Sequence, residues 1–328
     1  MEALKRMIKD NTINRVLLFH GPEKYMKDFY LKKTVEAVIG SGDITMNYDV
    51  FSDKKTRIDT ISDSLETMPF FADRRVVVLK ELDLMGKHKD ANDLAGILNT
   101  ISETSYLIIV ETDIDKRKKL YKAVKKIGHI VEFPYLGESD LVKYIARGLG
   151  RHKIKISAGD ARHMIHYIGG DLTVMHNEID KLVAYVGERE VVTQEDIEAI
   201  CQKSVESKIF ELVDCMGTNR RARALKLYHD LLLSKEPPNR ILFMLTRQFR
   251  LIYKTKLMGA EGFSQNDVAK KLKVQSFIVR KCMDQGRSFN ITSLESAIEY
   301  ALQTEIDIRT GVFHPDFAVE QLIIRYSG

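Results

Sequence analysis

Short, uninterrupted apolar runs recur through the first 135 or so residues and predict five strands, at 16–19, 48–51, 76–79, 107–110 and 130–133. The second and fifth runs are the weaker patterns. Apolar residues at helical spacing fill the intervals, at about 24–38, 57–67, 90–101 and 116–126. Continuous apolarity is typical of strands that are buried on both faces, as in a parallel sheet covered by helices. The alternation therefore predicts an open, doubly wound α/β sheet.

Beyond Pro134 the strand pattern disappears and only helical patterns remain. A helix is expected at 139–150, and capping boxes at 157–160 and 193–196 predict two further helix starts. From about residue 206 the helices are longer, with Pro237-Pro238 between two of them and a predicted cap at 292–295. We therefore predict an α/β plus all-α fold with three domains: an α/β domain at 1–137, a small helical domain at 138–205 and a helical end domain at 206–328.

The composition of the 328 residues limits the classes of function. Three widely spaced cysteines form no CxxC pair, so neither a disulfide framework nor a zinc site is indicated. A formal charge of +5 permits contact with nucleic acid without requiring it. No leader peptide or membrane-spanning run is indicated by the pattern, so we expect a cytoplasmic protein without membrane contact.

The loop after the first strand lies where a strand–loop–helix nucleotide site has the motif GxxxxGK[ST]. Gly21 takes the first glycine position and Lys27 the lysine position, but Met26 replaces the second glycine. Asp28 replaces the hydroxyl residue that binds Mg²⁺, and Lys80 stands where the third strand would supply an acid. We interpret this segment as a degenerate nucleotide loop that does not hydrolyse ATP, and the simplest interpretation of Gly21 is a strand-to-helix turn.

Other catalytic patterns are equally weak: the chain has no GxSxG motif, and its carboxylates form no distinctive pair. We therefore expect no active site and no cofactor in this chain. Basic runs at 116–119 and 220–223 are typical of solvated helix faces, and they leave contact with nucleic acid phosphates open.

The segment 68–75 is the most informative in the chain, because Phe70 and Phe71 follow Pro69 directly ahead of the third predicted strand. Adjacent side chains in a turn or helix diverge by roughly 100°, so both rings cannot easily enter one core. Two interpretations remain open at this point. The rings either cover the edge of the core or remain exposed for a partner, since exposed apolar patches commonly mark interaction sites.

Several motifs in order along the chain resemble the delta subunits of bacterial DNA polymerase III clamp loaders. The motifs are Leu18-Phe-His-Gly-Pro-Glu23, Met68-Pro-Phe-Phe-Ala-Asp-Arg74, Gly169-Gly-Asp-Leu172, Asn177-Glu-Ile-Asp-Lys-Leu182, Phe210-Glu-Leu-Val-Asp214, Arg247-Gln-Phe-Arg250 and Asp307-Ile-Arg-Thr-Gly311. Each motif is weak alone, but their order over nearly 300 residues is fairly specific.

The resemblance implies a three-domain, AAA+-like subunit that hydrolyses no ATP, although it is part of a DNA polymerase holoenzyme. It implies a ring with ATP-binding motor subunits and a delta-prime subunit, joined through a C-terminal helical collar, with residues 138–205 as a lid. Such a subunit opens the sliding clamp (beta), which the assembled complex places on primed DNA. Phe70 and Phe71 match the family's clamp-binding pair, with Phe70 at a position where leucine is common, and Met68 is expected to support them.

Two alternatives stay open on the sequence alone. One is an active AAA+ ATPase or helicase loader, for which ATP turnover that depends on Lys27 would be the evidence. The other is a stand-alone DNA-binding protein, which would bind DNA tightly without partners and with a steep salt dependence.

Overall fold

The computed structural model describes residues 1–41, 43–86 and 91–327. The chain divides into two compact units, Met1–Tyr135 and Leu136–Gly328.

A parallel sheet is the centre of the first unit, with strands in the order β2-β3-β4-β1-β5. Its strands are β1 (Val16–His20), β2 (Tyr48–Phe51), β3 (Arg75–Lys80), β4 (Ser105–Glu111) and β5 (His129–Glu132). All five predicted strands are therefore present. β4 extends beyond its apolar run at both ends, and β5 begins one residue earlier than predicted. The doubly wound parallel sheet is confirmed.

Helices cover both faces of this sheet, which is why its strands are apolar on both sides. They are α1 (Glu2–Lys9), α2 (Lys24–Ile39), α3 (Ile58–Glu66), α4 (Ala91–Ile97) and α5 (Lys119–Ile127). Leu17, Phe19 and Val78 pack with α1 and α2 on one face, whereas Leu18 and Val77 pack with α3, α4 and α5 on the other.

Two of the helices predicted in the first unit differ from the observed helices by more than one residue at an end. The helix predicted at 90–101 ends at Ile97, and its first residue lies outside the described residues. α5 begins at Lys119 rather than 116, because the Asp115 carboxylate accepts the Arg117 backbone N–H at 3.0 Å and its guanidinium at 2.9 Å. This local turn replaces the first helical turn.

The second unit begins with four helices and two very short strands. They are α6 (Glu138–Gly150), β6 (Lys155–Ile156), α7 (Ala158–Ile168), α8 (Leu172–Val186), β7 (Val191–Val192) and α9 (Gln194–Ile200). β6 and β7 pair in parallel, so the prediction that strands end at Pro134 is wrong. Strands of two residues are too short to produce a recognisable apolar period.

The helix caps in this region follow the sequence signals in part. Thr193 and Asp196 form the complete capping box that was predicted. At Ser157 only half of the box is present: its hydroxyl accepts the Asp160 backbone N–H at 3.0 Å, while the Asp160 carboxylate binds the hydroxyl rather than the backbone.

Longer helices make up the rest of the second unit. They are α10 (Val205–Gly217), α11 (Arg221–Leu233), α12 (Pro238–Ala260), α13 (Gln265–Leu272), α14 (Ser276–Gln285), α15 (Ile291–Arg309) and α16 (Pro315–Arg325). Pro237-Pro238 separates α11 from α12 as predicted. The cap predicted at 292–295 is wrong, because Asn290 caps α15 through the Ser293 N–H at 2.6 Å.

A buried amide network fixes the centre of these helices. The Gln248 side chain donates to the side-chain oxygen Oε1 of Gln285 at 2.6 Å. The Gln285 side chain in turn donates to the Phe210 backbone carbonyl and the Asp214 carboxylate, each at 2.9 Å. Satisfied polar groups of this kind select one packing arrangement over others. Among the described residues, no helix combines the length and apolarity needed to cross a bilayer.

Candidate functional site: an exposed aromatic loop and a degenerate nucleotide loop

The segment between α3 and β3 presents apolar side chains to solvent. Met68 is 84% exposed, Phe70 50% and Phe71 90%. The two rings contact each other edge to face, with centroids 4.5 Å apart and planes at 84°. The interpretation in which both rings cover the edge of the core is therefore wrong. Met68 is itself exposed and therefore does not pack behind the pair.

Asn47, just ahead of β2, holds this loop through hydrogen bonds to the Phe70 backbone. The sequence pattern did not indicate this residue. It is fully buried, and its side chain pairs with the backbone of Phe70 in both directions. The Phe70 N–H donates to Asn47 Oδ1 at 2.7 Å, and Asn47 Nδ2 donates to the Phe70 carbonyl at 2.9 Å. The same nitrogen lies 2.9 Å from the Asp43 carbonyl. A satisfied side-chain amide in the interior therefore fixes the backbone on which the rings stand.

Phe71 has a left-handed backbone conformation, with φ of 47°. A non-glycine residue in this region costs on the order of 1–2 kcal/mol. This conformation turns the chain sharply between the two rings, so that Phe71 points away from the core while Phe70 remains half covered. Strain of this kind is concentrated at functional sites, where the surrounding structure maintains it.

The neighbouring 43–47 segment widens the apolar surface. Ile44 and Met46 are exposed large apolar side chains, and Asn47 joins their segment to the aromatic loop. Arg75 donates to the Met46 carbonyl at 3.1 Å and also pairs with Asp49, which fixes this segment at the start of β3. Two loops thus contribute five exposed apolar side chains: Ile44, Met46, Met68, Phe70 and Phe71.

These two loops lie at the amino ends of β2 and β3, which are adjacent and parallel. Ligands of doubly wound sheets normally bind at the opposite edge, outside the carboxyl ends of the strands. The aromatic loop is therefore separate from the edge at which a nucleotide would bind.

At the carboxyl edge, the backbone amides of the degenerate loop are already used within the chain. The Gly21 N–H donates to the Thr112 carbonyl at 3.1 Å, and the Glu23 N–H donates to the Phe133 carbonyl at 3.0 Å. The Glu23 carboxylate caps the start of α2 through the Tyr25 N–H at 3.2 Å. A carboxylate therefore occupies the helix N-terminus, where a phosphate would bind.

Gly21 itself makes the turn that the sequence predicted. Its φ is 120°, and a Cβ atom there would lie 2.4 Å from the Phe133 carbonyl oxygen. Met26 packs against the core face formed by α1 and α2, so this replacement for the second glycine is a structural residue.

Lys27 is directed into the protein rather than toward a ligand, and its side chain is almost completely buried. Its Nζ lies 3.2 Å from Glu81 Oε1, 3.2 Å from the Glu111 carbonyl oxygen and 3.0 Å from Thr112 Oγ1. A lysine ammonium has three N–H donors, and three acceptors satisfy it.

The remaining replacements neutralise each other. Asp28 accepts from the Lys80 ammonium at 2.7 Å, so two of the three replacements in the nucleotide site form an ion pair. Glu81 also accepts the Thr112 backbone N–H at 3.1 Å and its hydroxyl at 2.7 Å. Internal ion pairs thus occupy the positions at which an active site would hold phosphate and Mg²⁺.

Glu111 is a buried acid beside this cluster. Burial raises the pKa of Glu111 to about 7, and the charges of Glu81 and Asp83 raise it further. The Leu84 N–H donates to the Glu111 carboxylate at 2.9 Å and lowers the pKa.

Family models, related sequences and a solved structure all indicate the same protein family. Two family models match the chain: "DNA polymerase III, delta subunit" at residues 17–134 and "DNA polymerase III delta subunit, C-terminal domain" at 206–326. Together they cover well over half of the chain.

The relatives agree with these models. The DNA polymerase III subunit delta of Bacillus subtilis is 28% identical over 329 residues, covering 98% of this chain and 95% of that protein. The probable DNA polymerase III subunit delta of Aquifex aeolicus is 20% identical, covering 80% of this chain and 76% of that protein. The solved structure of the B. subtilis DNA clamp loader delta protein superposes with a TM-score of 0.74 at 26% identity, covering 99% of both chains.

Proposed function

Because the chain belongs to the DNA polymerase III delta subunit family, we propose that it binds and opens the ring-shaped sliding clamp, using Phe70, Phe71 and Met68 as the contact. In this role it is a non-catalytic part of the clamp loader. The loader's ATP-binding motor subunits supply the energy, and the assembled complex places the clamp on primed DNA.

The observation that carries the proposal is the exposure of two adjacent phenylalanines on a backbone that Asn47 fixes. Rigid aromatic anchors that enter a pocket on the partner are typical hot spots of protein interfaces. Because the backbone is fixed before binding, less conformational entropy is lost when the complex forms. The exposed side chains of Ile44 and Met46 would extend the contact around the central rings.

The carboxyl edge of the sheet supports a role without ATP hydrolysis. Lys27 is saturated by internal acceptors, and the Gly21 and Glu23 amides are bound to carbonyl oxygens. These contacts are unfavourable for an active ATPase or helicase loader.

The helices beyond residue 205 are proposed to form the collar that joins the motor subunits and a delta-prime subunit. The proposal includes three domains, at 1–137, 138–205 and 206–328, of which the middle domain is the lid. Within the second unit, α7 and α10 are joined by the Ser207 hydroxyl, which donates to the His166 carbonyl at 2.6 Å.

The proposal is tested by replacing both anchors. Phe70→Ala combined with Phe71→Ala should abolish clamp binding in surface plasmon resonance, since each anchor contributes on the order of 2–4 kcal/mol. The melting temperature should change little because exposed rings contribute little to the core. Met68→Ala should weaken binding less than either ring.

A matched control is the pair Phe313→Ala and Phe317→Ala. These rings are about half exposed, as Phe70 is, and their centroids lie 5.8 Å apart in the second unit, so the same atoms are removed elsewhere. Equal loss of clamp binding in the two double variants, or unchanged binding in the Phe70 and Phe71 variant, would contradict the assignment.

A further inference from the structure

A groove of about 750 Å³ in the second unit collects positive charge. It lies between α12, the end of α13 and the last turn of α15. Six of its lining residues are cationic: Arg247, Arg250, Lys254, Lys271, Lys273 and Arg309. Its single carboxylate, among the described lining residues, is Glu305, which pairs with Arg309 at 2.6 Å.

The largest share of this charge comes from one face of α12. Phe243, Arg247, Arg250 and Lys254 follow one another at spacings of four, three and four residues, which places them in one stripe along the helix. All four are exposed. The stripe is roughly 16 Å long at 1.5 Å per residue.

One cation on the opposite wall of the groove, Lys271, is held by an aromatic ring. The Lys271 ammonium lies 3.5 Å from the centroid of the Phe263 ring, a cation–π contact that restrains the side chain.

Burial of the residues between the arginines fixes the stripe. Gln248 belongs to the buried amide network, and Phe249 packs in the core of the second unit. In the motif Arg247-Gln-Phe-Arg250, packing therefore explains the two middle residues but leaves the two arginines unexplained. Both arginines line the groove.

The chemistry of the groove selects its ligand. The three cations of α12 span about 10 Å, which exceeds the size of a single phosphate and suits the repeated phosphates of an extended strand. Phe243 is 68% exposed and stands at one end of the row, where a base can stack on it. A positive groove combined with an aromatic platform is the usual arrangement for single-stranded nucleic acid.

We propose that this groove binds single-stranded nucleic acid, with phosphates along Arg247, Arg250 and Lys254 and a base against Phe243. The proposal does not depend on clamp binding, because the aromatic loop lies in the first unit and the groove in the second.

The test measures binding of the full chain to a labelled oligo-dT of about 16 nucleotides by fluorescence anisotropy over a range of salt concentrations. Arg247→Gln with Arg250→Gln should weaken binding roughly tenfold and lower the salt slope by about 1.4, which corresponds to two lost phosphate contacts. Phe243→Ala should weaken binding roughly tenfold without changing the salt slope, because stacking releases no counterions.

The charge-matched control is Arg151→Gln with Lys226→Gln, two exposed cations outside the groove. It should leave oligo-dT binding unchanged. Lys254→Gln, a single exposed change, is the second variant if the double arginine variant does not fold. In parallel, the Phe70→Ala and Phe71→Ala variant should keep full oligo-dT binding, which separates this test from that of the clamp contact.

Three results would overturn the proposal: equal losses in the groove and control variants, no binding of oligo-dT by the native chain, or tighter binding of polyglutamate than of oligo-dT. The last result would assign the groove to an acidic protein partner.

Discussion

Asn47 illustrates how one buried side chain prepares an exposed surface. Its amide group satisfies both backbone groups of Phe70, and the sharp turn at Phe71 follows directly. The exposure of the two rings was one of the two interpretations that the sequence left open, because adjacent rings beside a proline cannot easily share one core but can still cover its edge. Asn47 could not be predicted, since its partner lies 23 residues away and a lone asparagine ahead of a strand gives no signal.

Replacing Asn47 tests whether the loop must be held rigid. Asn47→Ala removes three hydrogen bonds, so we expect about tenfold weaker clamp binding with both phenylalanines still present. The control is Thr34→Val, which removes a buried hydrogen bond on α2, where the Thr34 hydroxyl donates to the Tyr30 carbonyl at 2.7 Å. The control should lose stability but no clamp affinity. Equal affinity of the native chain and Asn47→Ala in surface plasmon resonance would show that the loop needs no restraint.

Glu111 makes stability depend on pH. Its pKa rises from an ordinary value of 4.5 to about 7 on folding. The folded state therefore binds more protons between these values, and the free energy of unfolding falls as the pH rises through this range. Glu111→Gln keeps an oxygen for the Leu84 N–H and removes the charge. It should be up to about 3 kcal/mol more stable than the native chain at pH 8, but close to equal below pH 4.5.

Urea unfolding at several pH values measures this difference. Glu132→Gln, at an exposed position at the end of β5, is the control and should change stability little at any pH. A Glu111→Gln variant with the same pH profile as the native chain would contradict the role of this acid.

At the scale of elements, apolar patterns located the five strands of the sheet. The patterns were clear for β1, β3 and β4, which are buried on both faces, and weaker for the edge strands β2 and β5, which are only partly buried. Local side-chain contacts set the helix starts that the apolar patterns did not predict. Asp115 delays the start of α5, and Asn290 caps α15 two residues ahead of the expected threonine. The Met26 and Asp28 replacements predicted a defective nucleotide loop, but not the internal contacts that fill it.

The start of α2 allows these contacts to be tested. If Lys27 is a structural residue, Lys27→Ala should lower the free energy of unfolding by about 1–3 kcal/mol, since it removes the donor to the buried Glu111 carbonyl oxygen. The partly exposed Asp28–Lys80 pair is the comparison, and Lys80→Ala should cost about 0–1 kcal/mol. ATP with Mg²⁺ should leave the melting temperature of the native chain unchanged. Unaltered stability of Lys27→Ala together with stabilisation by ATP would instead indicate a working nucleotide site.

At the scale of the whole molecule, the sequence predicted the change from an α/β region to helices alone, which falls at the boundary between the two compact units. The strand order could not be predicted from the pattern, because β1 is placed between β4 and β5 by pairing between distant segments. β6 and β7 were missed because strands of two residues show no recognisable apolar period.

The division into two units leads to a prediction about the isolated fragment 1–135. Both loops of the aromatic surface and the whole parallel sheet lie in Met1–Tyr135, so this fragment should fold and bind the clamp with the affinity of the full chain. It lacks the proposed collar and should not co-purify with the motor subunits, whereas the full chain should. Circular dichroism checks folding, surface plasmon resonance measures clamp affinity, and size-exclusion chromatography measures assembly. If the folded fragment assembles with the motor subunits, the assembly contacts lie in the α/β unit. If the folded fragment loses clamp affinity, the helical unit contributes to the clamp contact.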